Sequence, residues 1–249
     1  MKEYDLALKA VKTAGQFLEE NYNPTVDSQI GKDIKLSSDR KSEAIIIEIL
    51  RETGLPILSE EAGLIEGAEQ GFRWIVDPLD GSANYWKGLK ELACTSVALW
   101  NGNEPVLGAI YRFHTDELFS GIVGEGAWLN DKAIKTSNVD KTKDAIFATG
   151  FPVKRDYGDE SLKKFVKQVQ SFKKVRMLGA AAVMGSLVAA GKIDAYLEEQ
   201  IMLWDIAASS AMVKAAGGYV EIEHLQDYQC ICKLFSNKEL YEDFKRNEG

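Results

Sequence analysis

The chain changes texture near residue 140, and that change restricts the folds open to it. Before it, three apolar runs, residues 93–100, 106–113 and 117–123, follow one another at hairpin-like spacing and predict antiparallel strands. After it, helical and extended patterns alternate: 161–172 helical, 174–177 extended, 180–190 helical, 193–197 extended, 206–216 helical. Such alternation needs helices stacked on a sheet, so an α/β layering is expected. Upstream, Leu6, Ala10, Ala14, Phe17 and Leu18 recur at helical spacing within residues 4–20, and the turn formers of 21–29, with Pro24, end that helix. A second helix is expected from Ser38 or Asp39 to Gly54, then short strands at 56–58 and 72–76. The expected fold is a sandwich of alternating α-β-α-β-α layers: an α+β domain over 1–141 and an α/β domain over 142–249, with the site opening between them. No repeat or low-complexity tract interrupts the 249 residues.

Charge and composition exclude several partners. Thirty basic against 38 acidic residues give a net charge of −8, the wrong sign for a protein whose main partner is a nucleic-acid polymer. The longest apolar stretch, 178–191, falls short of the ~20 residues a bilayer crossing needs. The first residues, MKEYDLALKAVK, carry no apolar core of a secretory signal, and three cysteines make no disulfide framework; both fit a reducing cytoplasm. Only two histidines occur, His114 and His224, so catalytic machinery must come from carboxylates, hydroxyls and backbone groups.

The most informative stretch runs Trp74-Ile75-Val76-Asp77-Pro78-Leu79-Asp80-Gly81-Ser82. Asp77 and Asp80, three positions apart across a proline turn, can aim two carboxylates at one spot, as a hard cation such as Mg²⁺ requires. A helix opening at Gly81-Ser82 would offer free N–H groups to an anion. The plainer reading is a β-turn, where Asp followed by Pro is simply favoured. Glu60-Glu61 lies in a loop upstream, where exposed glutamates are ordinary. Asp205, in Leu203-Trp204-Asp205-Ile206, fits a helix N-cap or a buried acid paired with a cation. Glu198 at a strand end shares that ambiguity, and Asp39 fits helix-dipole stabilisation equally well. Lys32 fits a phosphate contact or no role at all. Gly121, Gly124 and Gly126 read as a turn, since no helix follows them. Cys230 and Cys232 read as small apolar groups on one strand face, and His114 as a hairpin tip.

Taken in order, Glu60-Glu61, then Asp77-Pro78-Leu79-Asp80-Gly81-Ser82-Ala83-Asn84-Tyr85, then Trp204-Asp205-Ile206-Ala207-Ala208 resembles the inositol monophosphatase family of the magnesium-dependent, lithium-sensitive phosphatases. The likeness extends to residues 32–39, to Gly124-Glu125-Gly126-Ala127 and to Gly179-Ala180-Ala181. It implies a first Mg²⁺ held by Glu60, Asp77 and the Leu79 carbonyl, and a second by Asp77, Asp80 and Asp205. Glu61 would sit beside them, holding a third ion or a water. The resemblance further implies that Ser82 and Asp39 orient and deprotonate the attacking water, and that Gly81 and Ser82 N–H groups hold the phosphate. Gly179, Ala180, Ala181 and Glu198 would line the leaving-group pocket. Carboxylates so crowded repel one another unless cations intervene, which argues against their being filler.

Three departures stand out: Ser82 where the family has threonine, Lys90-Glu91-Leu92 where a phenylalanine-proline pair is usual, and a shortened segment at 223–229. The implied activity is hydrolysis of a small polyol phosphate, inositol 1-phosphate above all, by a cytoplasmic, lithium-sensitive homodimer. The rivals are a 3′-phosphoadenosine 5′-phosphate nucleotidase, a fructose-1,6-bisphosphatase and, in another class, a catalytically silent binding or regulatory homologue.

Overall fold

The computed structural model describes residues 2–22, 24–30, 33–68, 71–151 and 156–247. In chain order the elements are α1 (Lys2–Glu20), β1 (Val26–Ile30), β2 (Asp33–Leu36), α2 (Ser37–Leu50), β3 (Ile57–Ser59), β4 (Gly63–Ile65), β5 (Phe72–Asp80) and α3 (Ser82–Trp86). There follow β6 (Cys94–Asn101), β7 (Glu104–Arg112), β8 (Glu117–Ile122), β9 (Gly126–Leu129), β10 (Lys132–Ile134) and β11 (Ile146–Ala148). The chain closes with α4 (Asp159–Gln170), β12 (Lys174–Arg176), α5 (Ala181–Ala189), β13 (Ala195–Met202), α6 (Leu203–Ala215), β14 (Tyr219–His224), β15 (Gln229–Phe235) and α7 (Lys238–Asn247).

An eight-stranded sheet runs β10-β9-β8-β7-β6-β5-β3-β4, antiparallel except where β3 lies parallel to β5. A five-stranded sheet runs β12-β11-β13-β15-β14, with parallel pairs only at β11. The central strands of the large sheet are buried on both faces, so their runs are almost unbroken apolar sequence. Alternation still sorts them. Trp74, Val76, Val97 and Leu99 pack under α1 and α2, whereas Ile75, Ala98 and Trp100 face α5 and α6. The α5–α6 pair also covers the inner face of the small sheet through Tyr196, Ile201, Cys230, Cys232 and Leu234. On its outer face α7 adds Leu240, Tyr241 and Phe244, with Val169 of α4 and Phe172 alongside. The layers thus read α-β-α-β-α, the expected order.

Close approach between layers rests on missing side chains. A Cβ on Gly108 would stand 2.3 Å from the Ala208 carbonyl oxygen, and one on Gly185 2.4 Å from Ser209 Cβ. Helix α6 is therefore seated directly on the backbone of β7, and α5 packs closely on α6 within their own layer. Gly121 belongs to this class and not to a turn. It lies within β8, where an added Cβ would meet Met212 Cα at 3.0 Å. Gly124, with φ of 90°, lies in the turn between β8 and β9, whereas Gly126, with φ of 151°, is the first residue of β9, paired with Ile122. Strands β1, β2, β4, β10, β11 and β14 and helix α7 carry no expectation from sequence, and of β15 only the stretch with Cys230 and Cys232 is expected as strand. Among the described residues no helix is long and apolar enough to cross a membrane.

Candidate active site

A cavity of about 540 Å³ opens where the end of β5, the turn after β3, the starts of α3, α5 and α6, and the irregular part of β13 meet. Its walls include Glu60, Asp77, Leu79, Asp80, Gly81, Ser82, Gly179, Ala180, Ala181, Glu198 and Asp205, so acids from distant segments share one space. Asp39 and Glu61, both expected at the site, do not line it. Lys32 lies outside the described residues.

Local chemistry fixes each acid. The β5–β6 pairing is regular to Asp77 and slips before Asp80, because Pro78 brings no N–H to the ladder. The slip leaves Leu79 N–H to close on Asp77 Oδ1 at 3.0 Å, while Ser42 Oγ donates to the Pro78 carbonyl at 2.7 Å. Asp80 is then delivered to the start of α5, where the N–H groups of Ala181, Ala182 and Val183 donate to it at 3.2, 2.8 and 3.3 Å. This is a helix N-terminus stabilising an anion from another element. Gly81, with φ of 82°, turns the chain into α3, and a Cβ there would sit 2.5 Å from the Leu92 carbonyl.

Asp205 is not the N-cap of its helix. The cap is Met202, and Asp205, at the third helical position, accepts the Met202 N–H at 3.2 Å. Asp39 repeats that geometry in α2, accepting the Leu36 N–H at 2.8 Å. Its other oxygen, Oδ1, is buried without a hydrogen-bond partner. Ser82 Oγ donates to the Leu79 carbonyl at 2.8 Å, and no hydrogen bond joins it to Asp39. Glu198 lies within β13, not at its end. It accepts Tyr196 Oη at 2.8 Å, and Gly150 leaves just enough room, since a Cβ there would stand 2.7 Å from both carboxylate oxygens.

Four further residues matter here. Glu43, four positions after Asp39 on α2, is buried and binds the glutamate turn through Ser59 Oγ, Glu61 N–H (3.2 Å) and Ala62 N–H (2.9 Å). The i, i+4 spacing from Asp39 was the available signal. Lys35 bridges Glu60 and Glu61, at 2.6 Å to each. Gln200 lines the cavity at the slip in the β13–β15 ladder with φ of 60°, its Oε1 buried without a partner. Phe151 lines the same wall. Neither of the last two carried a sequence signal.

The electrostatics follow from burial. Desolvation pushes Asp77 and Asp205 well above the usual carboxylate range, and the charges of Glu60 and Asp80 push the same way. Burial likewise raises Asp80 to about 7 against the pull of its three amide donors, and Asp39 to about 7 against that of Leu36 N–H. Among the described residues no three acid, histidine or cysteine side chains already form a metal-holding group. The donor set nonetheless suits a hard divalent ion. It is all oxygen, anionic and desolvated, with a lysine ammonium already neutralising its rim.

The inositol monophosphatase family profile matches residues 2–230. A Nus factor SuhB of Pasteurella multocida (strain Pm70) is 32% identical over 223 residues, covering 87% of this chain and 83% of that protein. An inositol-1-monophosphatase of Mesorhizobium japonicum is 33% identical over 223 residues, covering 87% and 84%. Among solved structures, the extragenic suppressor protein suhB of Bartonella henselae superposes with a TM-score of 0.87 at 28% identity, over 100% of this chain and 98% of that one. The inositol monophosphatase of Anabaena gives 0.85 at 29%, over 98% and 94%. The layered fold, the gathered acids and these likenesses lead to one conclusion: the chain belongs to the inositol monophosphatase family.

Proposed function

We propose that this protein is a Mg²⁺-dependent phosphomonoesterase acting on a small polyol phosphate, with inositol 1-phosphate the first substrate to test. The family supports phosphatase activity on small esters and a general need for magnesium. What favours the reading in this chain is one observation: Glu60, Asp77, Asp80 and Asp205, from three separate parts of the sequence, share the walls of one cavity with Gly81, Ser82 and Glu198.

In this reading Glu60, Asp77 and the Leu79 carbonyl would hold one ion, and Asp77, Asp80 and Asp205 the other, with Glu61 beside them. Bound magnesium supplies charge neutralisation of the phosphoryl group and a more acidic water. The chain does the rest. Gly81 and Ser82 N–H groups bind the phosphate. Ser82 Oγ would turn from the Leu79 carbonyl to orient the nucleophile, accept its proton and pass its own to the partnerless Oδ1 of Asp39, which stands behind the cavity wall poised near neutrality. Glu198, fixed by Tyr196, accepts hydrogen bonds from substrate hydroxyls, while Gly179, Ala180 and Ala181 shape the apolar wall. Lithium sensitivity, a homodimer and a cytoplasmic address belong to the same reading.

The test is phosphate release from inositol 1-phosphate, 3′-phosphoadenosine 5′-phosphate and fructose 1,6-bisphosphate, each across a Mg²⁺ titration. Magnesium-dependent turnover led by the inositol ester is expected. Preferential turnover of the nucleotide would reassign the substrate, and no release from any ester would reject the enzyme.

A further inference from the structure

Lys35 lines the cavity from the short strand β2, immediately before α2. Its Nζ lies 2.6 Å from Glu60 Oε1 and 2.6 Å from Glu61 Oε1. The Lys35 and Glu60 side chains are 22% and 23% exposed and that of Glu61 13%, so water screens these pairs only in part. Glu43 holds the turn carrying both glutamates from behind, through Ser59 and the N–H groups of Glu61 and Ala62. The turn is thus fixed on one side, and its carboxylates meet a cation on the other.

A single ammonium between two carboxylates does part of what a divalent ion would do there. It offsets one of the two negative charges and occupies lone pairs of Glu60, which the proposed function assigns to a metal. The two cations cannot share that oxygen at full strength. A metal at Glu60 must displace the lysine, or bind with that carboxylate partly engaged.

Building on the proposed function, we propose that Lys35 is an internal competitor for the divalent ion: it holds Glu60 and Glu61 in the metal-free protein and weakens the ion's hold on Glu60. The consequence is a glutamate turn that keeps a counter-charge without metal, and a site that releases its ion readily. A lysine serving only to brace the turn would have the opposite signature, because losing it would loosen the glutamates and weaken metal binding.

Direct binding separates the two. Calorimetric titration of Mn²⁺ and of Mg²⁺ into the full metal-free chain, without substrate, should give tighter binding for Lys35→Met than for the parent. The expected gain is about tenfold, the order set by no longer having to break partly buried ion pairs. Lys35→Arg keeps the charge and should bind like the parent, and far-ultraviolet circular dichroism checks that both variants are folded. Equal or weaker binding by a folded Lys35→Met overturns the inference while leaving the metal reading intact. If Lys35→Met does not fold, Lys35→Gln carries the same comparison. No ion binding by parent or variants rejects the metal reading itself, and the competition with it.

Discussion

Metal-free protein should lose stability as pH rises from acid to neutral, the reverse of ordinary acid lability. The cause is burial of carboxylates that have no cation. Asp39 and Asp80 are moved from 3.8 to about 7 by desolvation, and Asp77 and Asp205 are also raised by burial and by Glu60 and Asp80. A folded-state value above the unfolded one means that the native protein binds more protons throughout the interval between them. Stability is then complete below the unfolded value, near 4, and drains away as pH climbs through 7. Three units at about 1.4 kcal/mol each set a ceiling of about 4 kcal/mol per carboxylate, against a total stability of about 5–15 kcal/mol. Mg²⁺ at neutral pH should return most of that loss by binding the folded state alone. The assay is urea unfolding in a chelator at about pH 5 and about pH 8, repeated with excess Mg²⁺ at the higher value. The net charge of −8 also disfavours the compact state as pH rises, so Asp80→Asn is the control. It removes one buried charge and should flatten the profile by about its share. Metal-free stability that is level or rising between these pH values would refute the reasoning, as would a profile unchanged in Asp80→Asn.

Other consequences are narrower. Asp80→Asn should cut Mg²⁺-dependent phosphate release by more than about a hundredfold, beyond what loss of a supporting residue costs, as read by a steady-state phosphate assay. Gly150→Ala places a methyl 2.7 Å from both Glu198 oxygens, so KM for a polyol phosphate should rise while unfolding midpoints move little. Glu43→Ala strands Ser59 Oγ and two amides of the glutamate turn, so it should cost about 2–4 kcal/mol in denaturant unfolding, with Glu43→Gln recovering part of it. Gly108→Ala forces a side chain to 2.3 Å from the Ala208 carbonyl and should destabilise by about 3 kcal/mol or more, since backbone must move.

What the sequence discloses depends on how local its cause is. The strands at Cys94–Asn101, Glu104–Arg112 and Glu117–Ile122 were legible because burial on both faces writes an unbroken apolar run and short turns separate them. The β1–β2 hairpin was not, because Asp27-Ser28-Gln29 breaks the alternation in β1 and the alternating Asp33-Ile34-Lys35-Leu36 of β2 is too short to stand out. Helix α7 was missed for a different reason: only Leu240, Tyr241 and Phe244 are buried in a strongly charged segment. Gly121 was misread because a glycine demanded by a helix across the core looks, in one dimension, like a glycine demanded by a turn.

The site divides in the same way. Its membership was legible through the order of the acidic motifs, but not how each acid is held. Asp80 meets the amides of Ala181–Val183 about a hundred positions away, and Lys35 meets Glu60 across 25. Such partnerships depend on the packing of whole layers. Asp205 shows the consequence. An acid near a helix start reads as a cap, whereas here the third helical position reaches back to the cap's own N–H, and Asp39 does the same at the start of α2. The three-residue step of helix from cap to acid, most of a turn, decides where each carboxylate can reach. At the cap, an acid spends its oxygens on its own helix. At the third position a single amide holds one oxygen. For Asp205 the remaining capacity turns to the shared cavity, and for Asp39 it stays buried and unpaired on Oδ1.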